Sequence, residues 1–439
     1  MNLREEAFNI IVKVIKNNMF SDKLLSQSIK NIKGKEENPN LLYVLVRGVI
    51  KMRGNLDYIV QQYTEPAKYK GTDIRVKCLL YLAFYQLLYC DSIPEHAAVY
   101  ESVELAKKVF NESIANFVNA VLREYQRNPK INYPENPAER IAYEHSYPVE
   151  IIAKWLQRMP EDQVEYLAMY YNEPPKLNIR VNQLATTKAK LISYFAKKEV
   201  IVTEHKACVN MLTSEQATEV LNDVAFDEGY FTIQDVSSAM VIDLLDPQEN
   251  ESILDMFAGR GGKAGYIAEL MKNTGEVVAV DKIPNKAKEM KQTLERLGVS
   301  NFKIIVEDAF KFGPVAPAFN RVLIDVPCSG WGVFQKKAEL RWQEKQNITE
   351  LIKLQEKALQ TAAQFVKPGG FLVYSTCTIN DDENEAQIEK FLAQNKNFTL
   401  IDASKCIPKE YVNNKYLKTI PHVHHIDGAF AAKMQKQQS

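Results

Sequence analysis

Two cysteines stand in matched settings forty-nine residues apart, Cys328 in Asp325-Val-Pro-Cys-Ser-Gly330 and Cys377 in Tyr374-Ser-Thr-Cys-Thr378. An ionised thiol is a strong nucleophile, and a second thiol beside it can handle a proton when the first has to leave. With the Asp325 carboxylate adjoining, the group suits covalent chemistry on an electrophilic ring, one thiol attacking and the other helping to finish. Each cysteine follows an apolar run of β character, Arg321-Val-Leu-Ile324 in one case and Gly370-Phe-Leu-Val373 in the other. In a doubly wound sheet, residues just beyond such strands line the crevice where ligands bind. An isolated cysteine is ordinarily a small buried hydrophobe. Cys78, Cys90, Cys208 and Cys406 are read that way, and their flanks give no reason to read them otherwise.

The elements that must position these thiols alternate along residues 231–439. Strands are expected at Ile253-Leu254, Glu276–Val280, Phe302–Val306, Val322–Ile324 and Phe371–Val373, with amphipathic helices between them such as Lys286–Leu297. That alternation predicts a parallel α/β sheet with right-handed crossovers. The first strand runs into Leu254-Asp-Met-Phe-Ala-Gly-Arg-Gly-Gly-Lys263. Glycines there let the backbone pass close beneath a ligand and let the next helix start at once. A P-loop is excluded, because Phe257 stands where its first glycine is needed and Ala264 where Ser or Thr is needed. A nicotinamide fingerprint is matched formally by Gly259-x-Gly261-x-x-Ala264 with Asp281 after the second strand. S-adenosyl-L-methionine (SAM) is the third reading: its methionine over the loop, its ribose on Asp281 and its adenine met by Asp308 after the third strand.

At 439 residues the chain has room for two to three domains. Its 46% hydrophobic and 25% charged content is that of ordinary globular protein. No apolar run approaches the roughly 18 residues of a membrane span. The opening Met1-Asn-Leu-Arg-Glu-Glu lacks the apolar core of a signal peptide. Six cysteines without a CxxC pair argue against a disulfide scaffold or a zinc site and fit a reducing cytoplasm. His422, His424 and His425 lack a Cys or carboxylate at ligand spacing, so they are read as loop packing and no metal is expected. Formal net charge is zero, but residues 1–140 carry 20 basic against 16 acidic side chains, which permits nucleic acid at the front of the chain. Residues 1–130 read as a helical bundle with Leu42–Ile50 and Val76–Leu88 at its centre, followed by a Pro- and Asn-rich linker. The run Lys176–Asn182 then alternates like a strand.

Together these pieces resemble the NOL1/NOP2/Sun family of RNA cytosine-5 methyltransferases, in particular its bacterial Sun/RsmB branch, over essentially the whole chain. The two cysteine motifs and their order carry the resemblance most specifically. Ser92-Ile-Pro-Glu-His-Ala-Ala-Val99 and Phe117-Val-Asn-Ala-Val-Leu-Arg123 look like the branch's NusB-like front domain. Asn178-Ile-Arg-Val-Asn182, Glu228-Gly-Tyr-Phe-Thr-Ile-Gln-Asp-Val-Ser-Ser238 and Asp427-Gly-Ala-Phe-Ala-Ala-Lys433 match later family signatures. The chain departs from the family's usual Cys-Ala-Ala-Pro-Gly-Gly-Lys-Thr loop with Phe257-Ala-Gly-Arg-Gly-Gly-Lys-Ala264. It also carries Lys336-Lys-Ala-Glu339 where a basic-Pro-Asp pattern is usual, while keeping Arg341-Trp342.

The resemblance implies three domains: an all-α NusB-like RNA-binding bundle over 1–140, a small α+β RNA-contacting domain over 141–230, and an α/β Rossmann-like SAM-dependent methyltransferase domain over 231–439. It implies methylation of carbon 5 of a cytosine in 16S ribosomal RNA, with no obligate protein partner and no membrane. Cys377 would be the nucleophile, Cys328 would assist its release, and Asp325 would be held protonated, or share a proton, at ring nitrogen 3. Phe257, Ala258, Gly259, Arg260, Gly261, Gly262, Lys263, Asp281, Lys286, Asp308 and Asp325 would bind SAM, Arg260 by pairing with its carboxylate. An RNA-binding assembly protein with a decayed methyltransferase domain is the rival reading, prompted by the altered loop.

Overall fold

The computed structural model describes residues 2–32, 39–313, 319–343 and 347–438. They form two compact units, one of Met1–Glu173 with Phe334–Glu344 and one of Pro174–Val333 with Lys345–Ser439. Among the described residues no helix is long and apolar enough to cross a membrane.

The first unit is helical. Its central helix, Ile74–Tyr89, is capped by the Asp73 side chain and is apolar nearly all round, with Leu79, Leu80 and Phe84 fully buried. Pro94 precedes the helix Glu95–Val109, and the Asn111 side chain caps Glu112–Arg127 by accepting from the Ile114 N–H. Shorter helices at Pro137–His145, Val149–Leu156 and Glu161–Tyr170 belong to the same unit. So does the segment with Arg341 and Trp342. The Arg341 guanidinium is buried, donates to the carbonyls of Ser146 and Tyr171 and to Asn172 Oδ1, and lies 4.0 Å over the Tyr147 ring. Packing divides the chain near 173.

The second unit opens with a small antiparallel sheet of β1 (Leu177–Val181), β2 (Thr203–Glu204), β3 (Met211–Ser214) and β4 (Phe231–Ile233), ordered β2-β3-β1-β4. One side chain of β1 ties this sheet to the helix after the glycine loop. Arg180 is fully buried, donates to the Gly262 carbonyl at 2.8 Å, and pairs with an equally buried Glu269 at 2.5 Å. Burial pushes the Glu269 carboxyl up, and Arg180 offsets this only in part.

The large sheet contains β5 (Ser252–Asp255), β6 (Glu276–Val280), β7 (Phe302–Ile305), β8 (Phe319–Asp325), β9 (Val366–Thr376), β10 (Phe398–Ile401), β11 (Val412–Asn413), β12 (Tyr416–Lys418) and β13 (Phe430–Lys436). Its order is β11-β12-β13-β9-β8-β5-β6-β7, with β10 also on β13. The five strands β7 to β9 through β5 are parallel, as expected. To these the fold adds β13, which runs antiparallel along β9 from Phe430 opposite Thr376 to Gln435 opposite Phe371. The cause is physical. A bare β9 edge would leave a row of unpaired N–H and C=O groups, and Phe430, Ala431 and Ala432 cover it fully buried. The chain order changes direction between β5 and β8, the switch point where α/β sheets take ligands.

Removing one partner of a fully buried ion pair strands the other charge. Glu269→Ala should therefore lower unfolding free energy by about 3–5 kcal/mol in urea titration; a change below about 1 kcal/mol would show that Arg180 finds other compensation.

Candidate active site

Each of the parallel strands delivers one part of the site from its carboxyl end. Beyond β5 the chain turns through Gly259 and Gly261, whose φ angles of 58° and 81° lie in the left-handed region. A Cβ on Gly261 would stand 2.5 Å from Met290 Cγ, so this position excludes a side chain on spatial grounds too. The helix Gly262–Leu270 then begins at once. Beyond β6, Asp281 accepts from the Gly259 N–H at 3.1 Å with one oxygen and from the Ile283 N–H at 2.8 Å with the other. It therefore fixes the loop as well as facing it, and each carboxylate oxygen keeps a lone pair for a further donor. Beyond β7, Asp308 turns back on its own chain through the Phe310 N–H, and Phe310 stands edge-on to Phe257 at 5.9 Å.

Lys263, in the first turn of that helix, donates to Asp325 at 2.6 Å. Burial pulls the ammonium down, but Asp325, Asp255 and Cys377 outweigh it and hold Lys263 above the ordinary lysine range. Asp325 ends β8 directly opposite Ser375 of β9, and the Ser375 hydroxyl donates to its second oxygen at 2.8 Å. Both oxygens thus accept, one of them from an ammonium. Burial favours protonation of Asp255, at the end of β5, which is pushed up to about 7 against the pull of Lys263. Its two oxygens have no hydrogen-bond partner of good geometry.

The thiols meet where the β8 and β9 loops cross. Cys328 Sγ and Cys377 Sγ are 3.4 Å apart. The Gly332 N–H donates to the Cys377 carbonyl at 3.0 Å, and a Cβ on Gly332 would stand 2.0 Å from the Gly428 carbonyl oxygen, so only glycine allows that approach. Cys377 alongside, with burial, pushes the Cys328 thiol well above the ordinary thiol range, and the Glu383 carboxylate adds to the effect.

The structure thus brings Lys263, Asp325, Cys328 and Cys377 together, and it sets Asp281 on the glycine loop. The exposed Arg260 guanidinium pairs with Glu289 at 2.5 Å on the helix Pro284–Arg296, where Lys286 also lies half-buried. Sequence reasoning gave no role to Asp255, Ser375 or Glu383. Ser375 had a signal, since it shares the second cysteine motif. Asp255 had only its place at a strand end, and Glu383 sits in a charge run that reads as solvated surface.

Five parallel strands with this switch point, a glycine loop after the first and an acid after the second define a Rossmann-like domain, and the antiparallel β13 closes its sheet. The family model for the 16S rRNA methyltransferase RsmB/F matches residues 242–435, and the NusB family model matches residues 1–127. The chain is 34% identical to a probable ribosomal RNA small subunit methyltransferase B of Bacillus subtilis, over 99% of both chains. It is 32% identical to its counterpart in Synechocystis over 99% of this chain and 100% of that one. The crystal structure of PH0851 superposes with a TM-score of 0.84 at 26% identity, covering 99% of each chain. The chain belongs to the RsmB/F family of rRNA methyltransferases.

Asp255 supplies a pH test. An acid whose folded pKa is raised binds its proton more tightly when folded, so its stabilisation is full below about pH 4 and is lost as pH rises to about 7. Across that window the parent should lose stability relative to Asp255→Asn, at up to roughly 1.4 kcal/mol per pH unit, in urea titrations at several pH values. Parallel pH profiles would contradict this.

Proposed function

We propose that the chain methylates carbon 5 of a cytosine in 16S ribosomal RNA through a covalent Cys377–cytosine adduct. The observation that carries the reading is the pair of thiols 3.4 Å apart at the ends of two adjacent strands, with the Asp325–Lys263 pair beside them. Carbon 5 of cytosine is a poor nucleophile. Addition of the Cys377 thiolate to carbon 6 moves electrons toward ring nitrogen 3 and turns the ring into an enamine, nucleophilic at carbon 5. Asp325 meets nitrogen 3, and the proton it shares with Lys263 balances the charge that gathers there. Bound SAM supplies the methyl group that carbon 5 takes up.

Release needs a base for the carbon 5 proton. Cys328 is a poor one while Cys377 is free, because Cys377 is the chief reason its thiol is held high. Once Cys377 is bonded to carbon 6 that cause is gone, and Cys328 becomes easier to ionise. Having lost its own proton to solvent, it can then take the carbon 5 proton, directly or through water, as the electrons of that bond restore the ring and expel the Cys377 thiolate.

The loop Phe257–Lys263 would cradle the methionine part, Asp281 the ribose hydroxyls and Asp308 the adenine, with Lys286 and Asp325 at the margin. The residues fit: a Cβ placed on Gly259 would find no heavy atom closer than 4.0 Å, leaving the loop's outer face open, and Asp281 retains acceptor capacity. A paired base must be turned out of its stack before a thiol can reach it, so the target is a loop or a locally opened site. The front bundle and residues 141–230 would hold the RNA.

Replacing Cys377 by Ser should abolish adduct formation, whereas Cys328→Ser should still attack and methylate, then stall with RNA attached. A denaturing gel of each variant with SAM and 16S rRNA should show a slow band for Cys328→Ser alone; the opposite pattern would exchange the roles. Asp281→Ala should weaken SAM binding in calorimetry by roughly tenfold to a hundredfold, because charge-assisted hydrogen bonds are lost. Unchanged affinity would remove Asp281 from the cofactor site.

A further inference from the structure

Glu383 is the buried acid that the chemistry above leaves without a task. It lies in the short turn Asp381–Glu383 between β9 and the helix Glu385–Gln394 and is fully buried. One carboxylate oxygen accepts from the Ser329 N–H at 2.9 Å, in the loop of Cys328, and from Gln355 Nε2 at 3.0 Å, on the helix Ile348–Phe365. The other accepts from Asn380 Nδ2 at 3.0 Å, three residues beyond Cys377. All three donors are neutral. Gln355 and Asn380 aim their NH2 groups at the carboxylate while their own amide oxygens stay without a partner. A carboxylate buried among neutral donors costs several kcal/mol of desolvation that no cation returns. Stability alone does not account for it, and buried charges of this kind cluster at functional sites.

The neighbouring residue extends the grip. Asn384 accepts from the Thr376 hydroxyl at 2.6 Å and donates to the Thr378 carbonyl at 2.9 Å, holding the chain on both sides of Cys377. The Ser329 and Thr378 hydroxyls, 2.7 Å apart, join the two loops directly. Around the thiols the charges are therefore asymmetric. The Lys263 ammonium, paired with Asp325, interacts with Cys377, whereas the Glu383 carboxylate interacts with Cys328. Tyr374, whose hydroxyl donates to the Glu383 carbonyl, adds a neutral phenol.

We propose that Glu383 is a positioning residue for the thiol pair: it locks the Cys328 loop to the Cys377 loop and fixes a negative charge on the Cys328 side, so that Cys377 is presented as the nucleophile. The proposal rests on the adduct chemistry above. It goes beyond it in naming what distinguishes two thiols that otherwise sit in matched loops. The upward push of Glu383 on the Cys328 thiol agrees with it.

The test is the pH dependence of iodoacetamide alkylation at each thiol of the full chain, followed by peptide mass spectrometry. The midpoint of the profile, unlike the rate, does not depend on how exposed the thiol is. In the parent, Cys377 should ionise at lower pH than Cys328. In Glu383→Gln the Cys328 midpoint should fall by about one pH unit and approach that of Cys377. SAM affinity should stay within about twofold, since no cofactor contact is touched. Gln355→Met removes the hydrogen bonds to Glu383 and to the Pro327 carbonyl but keeps the charge, so it should leave the Cys328 midpoint in place. An equal shift in Gln355→Met and Glu383→Gln would make the effect one of loop packing and overturn the proposal. So would a parent in which Cys328 ionises first, a result that needs no variant to fold. Failure of the underlying reading looks different: the parent enzyme would then yield no 5-methylcytosine, whatever the two midpoints.

Discussion

The parallel register of β8 on β9 is the constraint on which the site depends. It sets Asp325 opposite Ser375, and from that level both strands run out into loops that end in a thiol. Two sulfur atoms forty-nine residues apart in sequence come within 3.4 Å because two neighbouring strands finish at the same height. The antiparallel β13 makes that possible from the other side. By pairing with β9 along six positions it buries the strand that carries Cys377, and Gly428 just before it closes onto Gly332 of the Cys328 loop.

Within that frame, charge separates what geometry makes alike. Asp325, Asp255 and Glu383 each have a different environment. Asp325 has an ammonium, Asp255 is pushed up to about 7 by burial, and Glu383 is held by neutral donors. The single ammonium of Lys263 reaches Asp325 directly and acts on Asp255 and Cys377 as well. Such a cluster responds as a unit, and a change at any member alters the proton balance of the others.

Much of this was legible in the sequence. The five parallel strands follow from apolar runs bounded by turn residues, and the two cysteine motifs identify themselves by their matched flanks. The glycine loop and Asp281 follow from the spacing of a strand, a turn and a helix. What was illegible depends on long-range packing. Asp381, Asp382, Glu383 and Glu385 look alike as a charge run, and only the fold buries Glu383. Arg341 follows the first cysteine motif in sequence, yet it packs in the helical unit on Tyr147 and the carbonyls of Ser146 and Tyr171. Arg180 and Glu269, eighty-nine residues apart, carry no local sign of pairing. The short Ala-rich β13 does not announce that it will reverse the sheet's direction.

The central claim is that this crevice places a methyl group on carbon 5 of a ribosomal cytosine. Bisulfite sequencing of 16S ribosomal RNA tests it most directly, because methylation at carbon 5 protects a cytosine from deamination. RNA from a strain lacking the gene should lose protection at one cytosine, regain it with the parent gene and fail to regain it with the Cys377→Ser gene. Protection patterns identical with and without the gene would contradict the account.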